Sequence, residues 1–205
     1  MIWGGTVIKD PYFPATSMPD SDWWQELWPD PDRVVRDFGV LPNMAVLDVC
    51  CGDGRFTVAL CRAAAPAGVQ AIDIDADELH RARQACTAEN CENVSFVQAD
   101  VSDLSQIIHQ PQDFVFIANT FHGVPDKMAF AQGVRRILKP NGRLVIVNWH
   151  DVEREQTTVM GKPRGPATEL RLSPDDCAET IAAAGFSLCD LIELAPYHYG
   201  AVFKI

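Results

Sequence analysis

The chain has 205 residues, of which 47% are hydrophobic and 22% charged, and this composition is typical of one globular domain with a sizeable core. Acidic residues outnumber basic ones by 28 to 17, which leaves a net charge of −11 at pH 7 and argues against general binding of nucleic-acid phosphates. We expect neither a signal peptide nor a membrane partner, because no charged start is followed by a long apolar run and no apolar stretch reaches membrane-spanning length.

The chain has seven cysteines, an odd number, and no two of them stand in a C-x-x-C motif. This pattern favours reduced thiols in a cytoplasmic protein over a disulfide framework. Cys86 and Cys91 are a candidate pair for a metal site, but zinc ligands usually stand closer in sequence or have histidine neighbours. The sequence therefore predicts a cytoplasmic protein without a metal site.

The N-terminal segment combines prolines with aromatic side chains, including four of the five tryptophans of the chain. This composition is too apolar for a disordered tail and predicts an irregular arm that ends in a short helix over residues 22–28. We therefore divide the chain into an N-terminal arm or lid, residues 1–30, and a main domain, residues 31–205.

Strand-like and helix-like segments alternate along the main domain. The predicted strands are 45–50, 70–74, 94–99, 113–119, 143–149, 187–194 and 200–204, and the predicted helices are 32–38, 55–65, 77–89, 125–138 and 174–184. Residues 151–172 are interrupted by glycines and prolines and predict a long loop or partly ordered insert. Alternation of this kind predicts an α/β protein in which helices cover both faces of a parallel sheet.

The segment 45–56 places an apolar strand, an acid and two glycines directly before a predicted helix. Glycines lack the Cβ atoms that would keep a ligand away from the backbone, and the helix that follows presents free N–H groups at the turn. Ligands of parallel sheets bind at the carboxyl ends of the strands. Acids stand at or near three successive strand ends, at Asp48, Asp73 and Asp100. Together these features predict a site for a nucleoside-containing cofactor.

From about residue 34 to residue 205 the sequence resembles the class I S-adenosylmethionine-dependent methyltransferases. The stretch 48–54 is similar to the first motif of that family, in which glycine or alanine usually stands where this chain has Cys50. Residues 71–75 are similar to the second-strand motif and residues 98–101 to the third motif. Within the family, the chain looks most similar to the small ubiquinone/menaquinone-type branch, also called methyltransferase type 11.

The resemblance implies a Rossmann-like, doubly wound, seven-stranded and mostly parallel sheet with a C-terminal antiparallel hairpin. It also implies S-adenosylmethionine as cofactor and S-adenosylhomocysteine as product. By the same resemblance Asp73 bonds both ribose hydroxyls, and Asp100 accepts from the adenine amino group beside the Val101 amide. Asn119 is expected beside the methionine moiety, and Cys50 is expected to fill space rather than react. The full predicted cofactor-binding set is Asp48, Cys50, Gly52, Gly54, Asp73, Ile74, Asp100, Val101 and Asn119.

Methyl transfer needs an acceptor aligned with the sulfonium methyl group, and a base only where the acceptor must lose a proton. Under the family topology the acceptor edge collects the N-terminal arm and the segments 119–126, 149–171 and 196–199. His122 is the first candidate base and His150 the second, and the alternative for His122 is a loop or capping histidine.

Four tryptophans, at positions 23, 24, 28 and 149, are predicted to form a lid or pocket wall, or to close the open end of the sheet as ordinary core. The two interpretations are compatible. Arg171 and the acids near it either bind a polar substrate or belong to the solvated surface.

These features predict a methyltransferase that acts on a small, partly apolar molecule, binds neither nucleic acid nor membrane, and is compatible with a homodimer. The first alternative is an NAD-type dinucleotide oxidoreductase. That fingerprint requires G-x-G-x-x-G, and Thr57 stands where the third glycine belongs. The second alternative is a non-catalytic regulator that binds the cofactor without transferring its methyl group.

Overall fold

The computed structural model describes residue 13 and residues 18–205. Most of the predicted arm, residues 1–12 and 14–17, lies outside the described residues. The part of the arm that is described ends in helix α1 (Ser21–Leu27), which corresponds to the helix predicted from the sequence. A second short helix, α2 (Pro31–Asp37), follows directly.

The rest of the chain alternates strands and helices as predicted. The strands are β1 (Val46–Val49), β2 (Val69–Asp73), β3 (Val94–Gln98), β4 (Gln112–Ala118), β5 (Leu138–Trp149), β6 (Thr158–Val159), β7 (Lys162–Pro163), β8 (Ser187–Leu194) and β9 (His198–Lys204). The helices are α3 (Arg55–Ala64), α4 (Ala76–Ala88), α5 (Leu104–Ile107), α6 (Lys127–Ile137) and α7 (Pro174–Ala182).

Seven of the strands form one sheet in the order β3-β2-β1-β4-β5-β9-β8. Strands β1 to β5 pair in parallel, and β9 runs antiparallel between β5 and β8. The predicted seven-stranded, mostly parallel sheet with a C-terminal antiparallel hairpin is therefore confirmed. The strand order reverses between β1 and β4, and this switch point leaves a crevice at the carboxyl ends of the strands.

Strand β4 supplies side chains to two apolar layers. Phe114 and Phe116 pack with residues of α1, α2 and α3 on one face of the sheet. Val115 and Ile117 pack with residues of α6 and α7 on the other face. Because successive side chains of a strand point to opposite faces and both faces are covered, β4 has a nearly continuous apolar sequence.

The insert 151–172 is more ordered than the sequence predicted. It contains the β6–β7 hairpin and is organised by Arg171, a side chain that is only 7% exposed. The Arg171 guanidinium lies over the ring of Trp149, 5.1 Å from its centroid. Its acceptors, at 2.9–3.2 Å, are Val152 O, Thr157 Oγ1, Arg164 O and Pro166 O. Arg171 is therefore a buried structural residue, and the interpretation of Arg171 as solvated surface charge was wrong.

Two further differences concern element boundaries. Strand β5 begins at Leu138, five residues before the predicted start, because Leu138 pairs with Gln112 ahead of an irregular step in the register. Helix α5 was not predicted at all.

Among the described residues, none of the helices has the length and apolar character needed to cross a bilayer. All seven cysteines are free thiols.

Candidate functional site

A cavity of about 690 Å³ opens at the carboxyl ends of β1 to β4. It brings together most of the residues that the sequence singled out. The predicted cofactor-binding residues that line it are Asp48, Cys50, Gly52, Asp73, Ile74, Asp100, Val101 and Asn119. His122 also lines the cavity, whereas Gly54 and His150 are not among its lining residues.

The turn after β1 adopts left-handed backbone conformations at several positions. Cys50 has φ +57°, Gly52 has φ +53° and Gly54 has φ +84°. A Cβ atom on Gly54 would lie 2.8 Å from the Cα of Ala82 in α4. Gly54 is thus required where the start of α3 packs closely against α4, and it does not line the cavity as the sequence predicted, whereas Gly52 does.

Asp48 is almost completely buried, with 2% exposure, and its Oδ2 accepts a hydrogen bond of 2.6 Å from Thr57 Oγ1. Burial raises the pKa of Asp48 to about 7; the Thr57 bond opposes this rise, and the charge of Asp73 adds to it. Thr57, which sequence analysis noted only as a missing glycine, therefore holds the carboxyl group at the base of the cavity.

Asp73 ends β2 with both carboxylate oxygens engaged by backbone groups. Oδ2 accepts from the Gly52 N–H at 2.8 Å, and Oδ1 accepts from the Asp75 N–H at 3.0 Å. Burial raises the pKa of Asp73 above its ordinary value, although both backbone bonds lower it. A carboxylate oxygen has more than one acceptor site, so both oxygens retain the capacity to bind ligand hydroxyls.

Asp100 follows β3 at the exposed side of the cavity. Its Oδ1 accepts two hydrogen bonds from Ser102, one from the backbone N–H at 2.9 Å and one from Oγ at 2.6 Å. These bonds fix the carboxylate at the start of the turn that carries Val101, which is buried. An acid and an apolar surface thus stand side by side at this end of the cavity.

Asn119 follows β4 with φ +59°, a conformation that asparagine adopts more readily than most residues. Its backbone N–H donates to Val147 O at 2.9 Å. Both side-chain atoms, Oδ1 and Nδ2, are buried and have no hydrogen-bond partner within the described part of the chain. Leaving such a group unpaired costs about 1–3 kcal/mol, and a polar ligand in the cavity would satisfy it.

The two candidate bases occupy different surroundings. His122, 3% exposed, places Nδ1 3.2 Å from Oδ1 of the buried Asn148. His150 places Nε2 2.9 Å from the exposed Glu193 and packs beside the ring of Tyr199. The geometry therefore brings His122 to the cavity and directs His150 towards the β8–β9 hairpin.

Aromatic side chains close the cavity opposite the strand-end acids. Trp23 and Trp24 of α1 line it together with Trp149 of β5, and all three are more than 90% buried. Trp28 lies deeper and packs against Phe56 and His198. The tryptophans are thus both cavity wall and core, which joins the two sequence interpretations.

Two contacts attach the described end of the arm to the turn after β1, and neither was predicted from the sequence. Arg55, at the start of α3, donates from Nε to the carbonyl oxygen of Trp28 at 2.8 Å. Met18 lies over Gly52, where a Cβ atom would meet its sulfur at 2.7 Å. The described end of the arm therefore covers the cavity directly.

The segment 164–167 supplies the remaining wall of the cavity, and it lies within the stretch 149–171 that was expected at the acceptor edge. Arg164 follows the β6–β7 hairpin and lies over the ring of Trp23, 4.9 Å from its centroid. Within residues 18–205 no group of three or more histidine, cysteine or acidic side chains is arranged to hold a metal ion. The site is therefore a cavity lined chiefly by carboxylates and aromatic rings, with Arg55, Arg164, His122 and the Asn119 amide, and the described residues form no metal centre in it.

A family model described as a methyltransferase domain matches residues 41–182. Because this match spans most of the chain, the protein belongs to that family, and its fold and strand-end acids place it among the class I S-adenosylmethionine-dependent methyltransferases. The prediction made from the motifs is confirmed at this level, and membership of this family decides against the dinucleotide oxidoreductase.

Particular relatives agree with the predicted branch. The demethylmenaquinone methyltransferase of Staphylococcus aureus is 35% identical over 114 residues, which are 55% of this chain and 46% of that protein. The chain thus spans about half the length of the curated relatives it matches. A S-adenosylmethionine-dependent methyltransferase from Aquifex aeolicus has 26% identity and a TM-score of 0.77, with 91% of this chain and 95% of that chain covered. A putative type 11 methyltransferase from Sulfolobus solfataricus has 25% identity and a TM-score of 0.61, with 79% and 83% covered.

Proposed function

We propose that the protein transfers the methyl group of S-adenosylmethionine to a small-molecule acceptor bound in the 690 Å³ cavity. The observation that carries this proposal is the convergence of Asp73, Asp100 and the unpaired Asn119 amide on one cavity whose opposite wall is aromatic. Polar groups that fix orientation beside an apolar wall are typical of a small-molecule site. The name of the Staphylococcus aureus relative, a demethylmenaquinone methyltransferase, supports an acceptor of this size class.

The residues present fit the cofactor. The two oxygens of Asp73, already oriented by backbone N–H groups, accept the ribose hydroxyls. Asp100 accepts a hydrogen bond from the adenine amino group through Oδ2, the oxygen that Ser102 does not use, and Val101 packs against the adenine ring. The Asn119 amide pairs with polar atoms of the methionine portion and thereby loses its desolvation cost.

When bound, S-adenosylmethionine supplies a methyl group on a positively charged sulfur, which is already a good leaving group. The protein therefore contributes mainly alignment and exclusion of water. Trp23, Trp24 and Trp149 exclude water from the acceptor side of the cavity. In the arm, α1 acts as a lid because Arg55 ties it to the turn that holds the cofactor.

His122 is the proposed general base for acceptors that lose a proton. Donation from Nδ1 to Oδ1 of Asn148 selects the tautomer in which Nε2 carries the lone pair. Burial of both residues holds the ring in one orientation at the cavity wall.

The seven free thiols support a cytoplasmic location for this reaction.

Binding and turnover test the proposal separately. Differential scanning fluorimetry should show stabilisation by S-adenosylhomocysteine but not by NAD, and Asp73→Ala should abolish the stabilisation. Release of labelled methyl groups across a panel of small phenols, quinols, amines and thiols then tests transfer. Absence of any shift with S-adenosylhomocysteine would contradict cofactor binding, and binding without turnover on every acceptor would favour the non-catalytic regulator.

A further inference from the structure

Acidic residues dominate the charge of the cavity. Seven carboxyl side chains line it among the described residues, against two arginines, Arg55 and Arg164. Arg55 is committed to the arm, because its guanidinium donates to backbone carbonyl oxygens of Gln25 and Trp28. Arg164 is therefore the arginine of the cavity whose guanidinium is not committed to the arm and can contact a ligand.

The Arg164 side chain is half-buried and has unused hydrogen-bonding capacity. Its Nε is buried without a hydrogen-bond partner, and it forms no ion pair with a carboxylate of the described residues. The Arg164 guanidinium lies over the Trp23 ring, with Cζ 4.9 Å from the ring centroid. A buried donor on a permanently charged group is expensive to leave unpaired, so a missing anionic partner explains it better than packing alone.

The backbone of Arg164 is held rigidly at the cavity wall. Its N–H donates to Thr157 O at 2.8 Å, and its carbonyl oxygen accepts from Thr157 Oγ1 at 2.8 Å and from Arg171 at 3.1 Å. The next residue, Gly165, has φ +88°, and a Cβ atom there would lie 2.9 Å from the Trp149 ring. The guanidinium, which lies over the Trp23 ring, is thus presented from a backbone frame that is packed against Trp149 at the next residue.

We propose that Arg164 recognises an anionic group of the methyl acceptor, so that the substrates are small aromatic or partly apolar carboxylates or related oxyanions. The inference rests on the proposed function, because it assigns the acceptor end of that cavity. Arginine suits this role because its planar donor pairs match a carboxylate while its face remains stacked on an aromatic ring. The Trp23 and Trp149 rings would pack against the apolar body of the same molecule.

The net negative charge of the protein disfavours the binding of anions in general, so a preference for an anionic probe can be assigned to a local site. With a net charge of −11, it has no general attraction for carboxylates, so a preference for one requires a local cation. The probes are three pairs of similar size in which a neutral amide replaces the carboxylate: benzoate and benzamide, salicylate and salicylamide, 4-hydroxybenzoate and 4-hydroxybenzamide. The protein is loaded with S-adenosylhomocysteine, whose thioether sulfur carries no positive charge that could attract the probe.

Dissociation constants from ligand-observed NMR titration give the decisive ratio. In the wild type at least one carboxylate should bind about tenfold or more tightly than its amide. Arg164→Gln should bring that ratio to one or below, and Arg164→Lys should keep part of it. Lys162→Gln is the matched control, because it removes one positive charge two residues away, on an exposed side chain outside the cavity lining. This control should retain the wild-type ratio.

Each outcome decides the question. Equal binding of acids and amides by the wild type in all three pairs overturns the proposal, and so does an Arg164→Gln variant that keeps the preference. An Arg164→Gln variant that binds the acid and the amide of each pair more weakly by the same factor, so that the ratio is unchanged, would show that Arg164 only supports the Trp23 wall. Failure of the wild type to bind S-adenosylhomocysteine at all contradicts the proposed function itself, and is recorded before any probe is added.

Discussion

The backbone N–H of Gly52 donates a hydrogen bond to Oδ2 of Asp73, 2.8 Å away, and thereby joins the turn after β1 to the carboxyl end of β2. Both residues line the cavity, so the bond fixes two walls of the proposed cofactor site relative to each other. The acid has two tasks at once, because it orders the backbone of the turn and keeps acceptor capacity for ligand hydroxyls.

Asp73→Asn, which keeps the shape of the side chain, tests whether both carboxylate oxygens of Asp73 are needed for these tasks. An asparagine has a single carbonyl oxygen, so its NH₂ group would face the N–H of Gly52 or of Asp75. We expect the affinity for S-adenosylhomocysteine to fall about tenfold to a hundredfold, measured by isothermal titration calorimetry. Asp77→Asn, an exposed position in the first turn of α4, should keep wild-type affinity. Unchanged affinity in Asp73→Asn would contradict the assignment of the ribose site.

Asp48 should make the stability of the fold depend on pH. Burial raises its pKa from 3.8 to about 7, so the folded chain holds the proton more tightly than the unfolded chain does. Its contribution to stability is therefore lost as pH rises from about 4 to about 7 and is constant above that. Asp48→Asn removes this titration. The free energy of unfolding of the variant, relative to wild type, should increase by about 2–3 kcal/mol between roughly pH 5 and pH 8, measured by urea denaturation.

Asp113→Asn is the control for this pH dependence. Burial tends to raise the pKa of Asp113, but the hydrogen bonds from Lys139 and from the Ala45 N–H, together with the charge of Lys139, outweigh burial and hold the pKa below the ordinary value. The stability that Asp113 contributes is therefore already complete at pH values above its ordinary pKa. The difference between Asp113→Asn and wild type should stay constant over the same pH interval. A constant difference for Asp48→Asn as well would show that the Asp48 carboxyl is not desolvated.

Gly54 and Gly161 form a matched pair for testing close packing against backbone strain. Both have positive φ, +84° and +72°. An added Cβ would meet the Cα and Cβ of Ala82 at 2.8 Å at Gly54, but no heavy atom within 4 Å at Gly161. Gly161→Ala should cost about 1 kcal/mol of stability from the left-handed backbone alone, and Gly54→Ala about 2–4 kcal/mol because overpacking is added. Urea denaturation measures both; equal losses would disprove the α3–α4 contact.

The sequence was sufficient to bring together the residues of the proposed cofactor half of the site. Apolar runs that end in Asp48, Asp73 and Asp100 are local signals, and parallel pairing alone brings their carboxyl ends to one edge. Asn119 follows the same rule, because it stands directly after β4. Each of these positions depends only on the strand that precedes it, which explains why their common location in the cavity could be predicted.

The acceptor half depends on contacts between distant segments. Arg55 meets the carbonyl of Trp28 across 27 positions, and Arg164 meets Trp23 across still more of the chain. No periodicity or turn signal encodes such contacts. Cys50 shows a further limit: the sequence predicted that cysteine fills space in the turn, but not that it would take φ +57°, a conformation that costs about 1 kcal/mol outside glycine.

His122 and His150 were the two candidate bases, and the geometry now gives them different expected phenotypes. His122 lines the cavity and is oriented by Asn148, whereas His150 lies outside the cavity lining and pairs with the exposed Glu193. For an acceptor that loses a proton, His122→Gln should lower kcat by about 10²–10⁴-fold while S-adenosylhomocysteine affinity stays at the wild-type value. His150→Gln should retain kcat. The measurement is single-turnover methyl transfer as a function of pH, in which only His122→Gln should lose the rise in rate with base ionisation. A large loss in His150→Gln with normal turnover in His122→Gln would reverse the assignment.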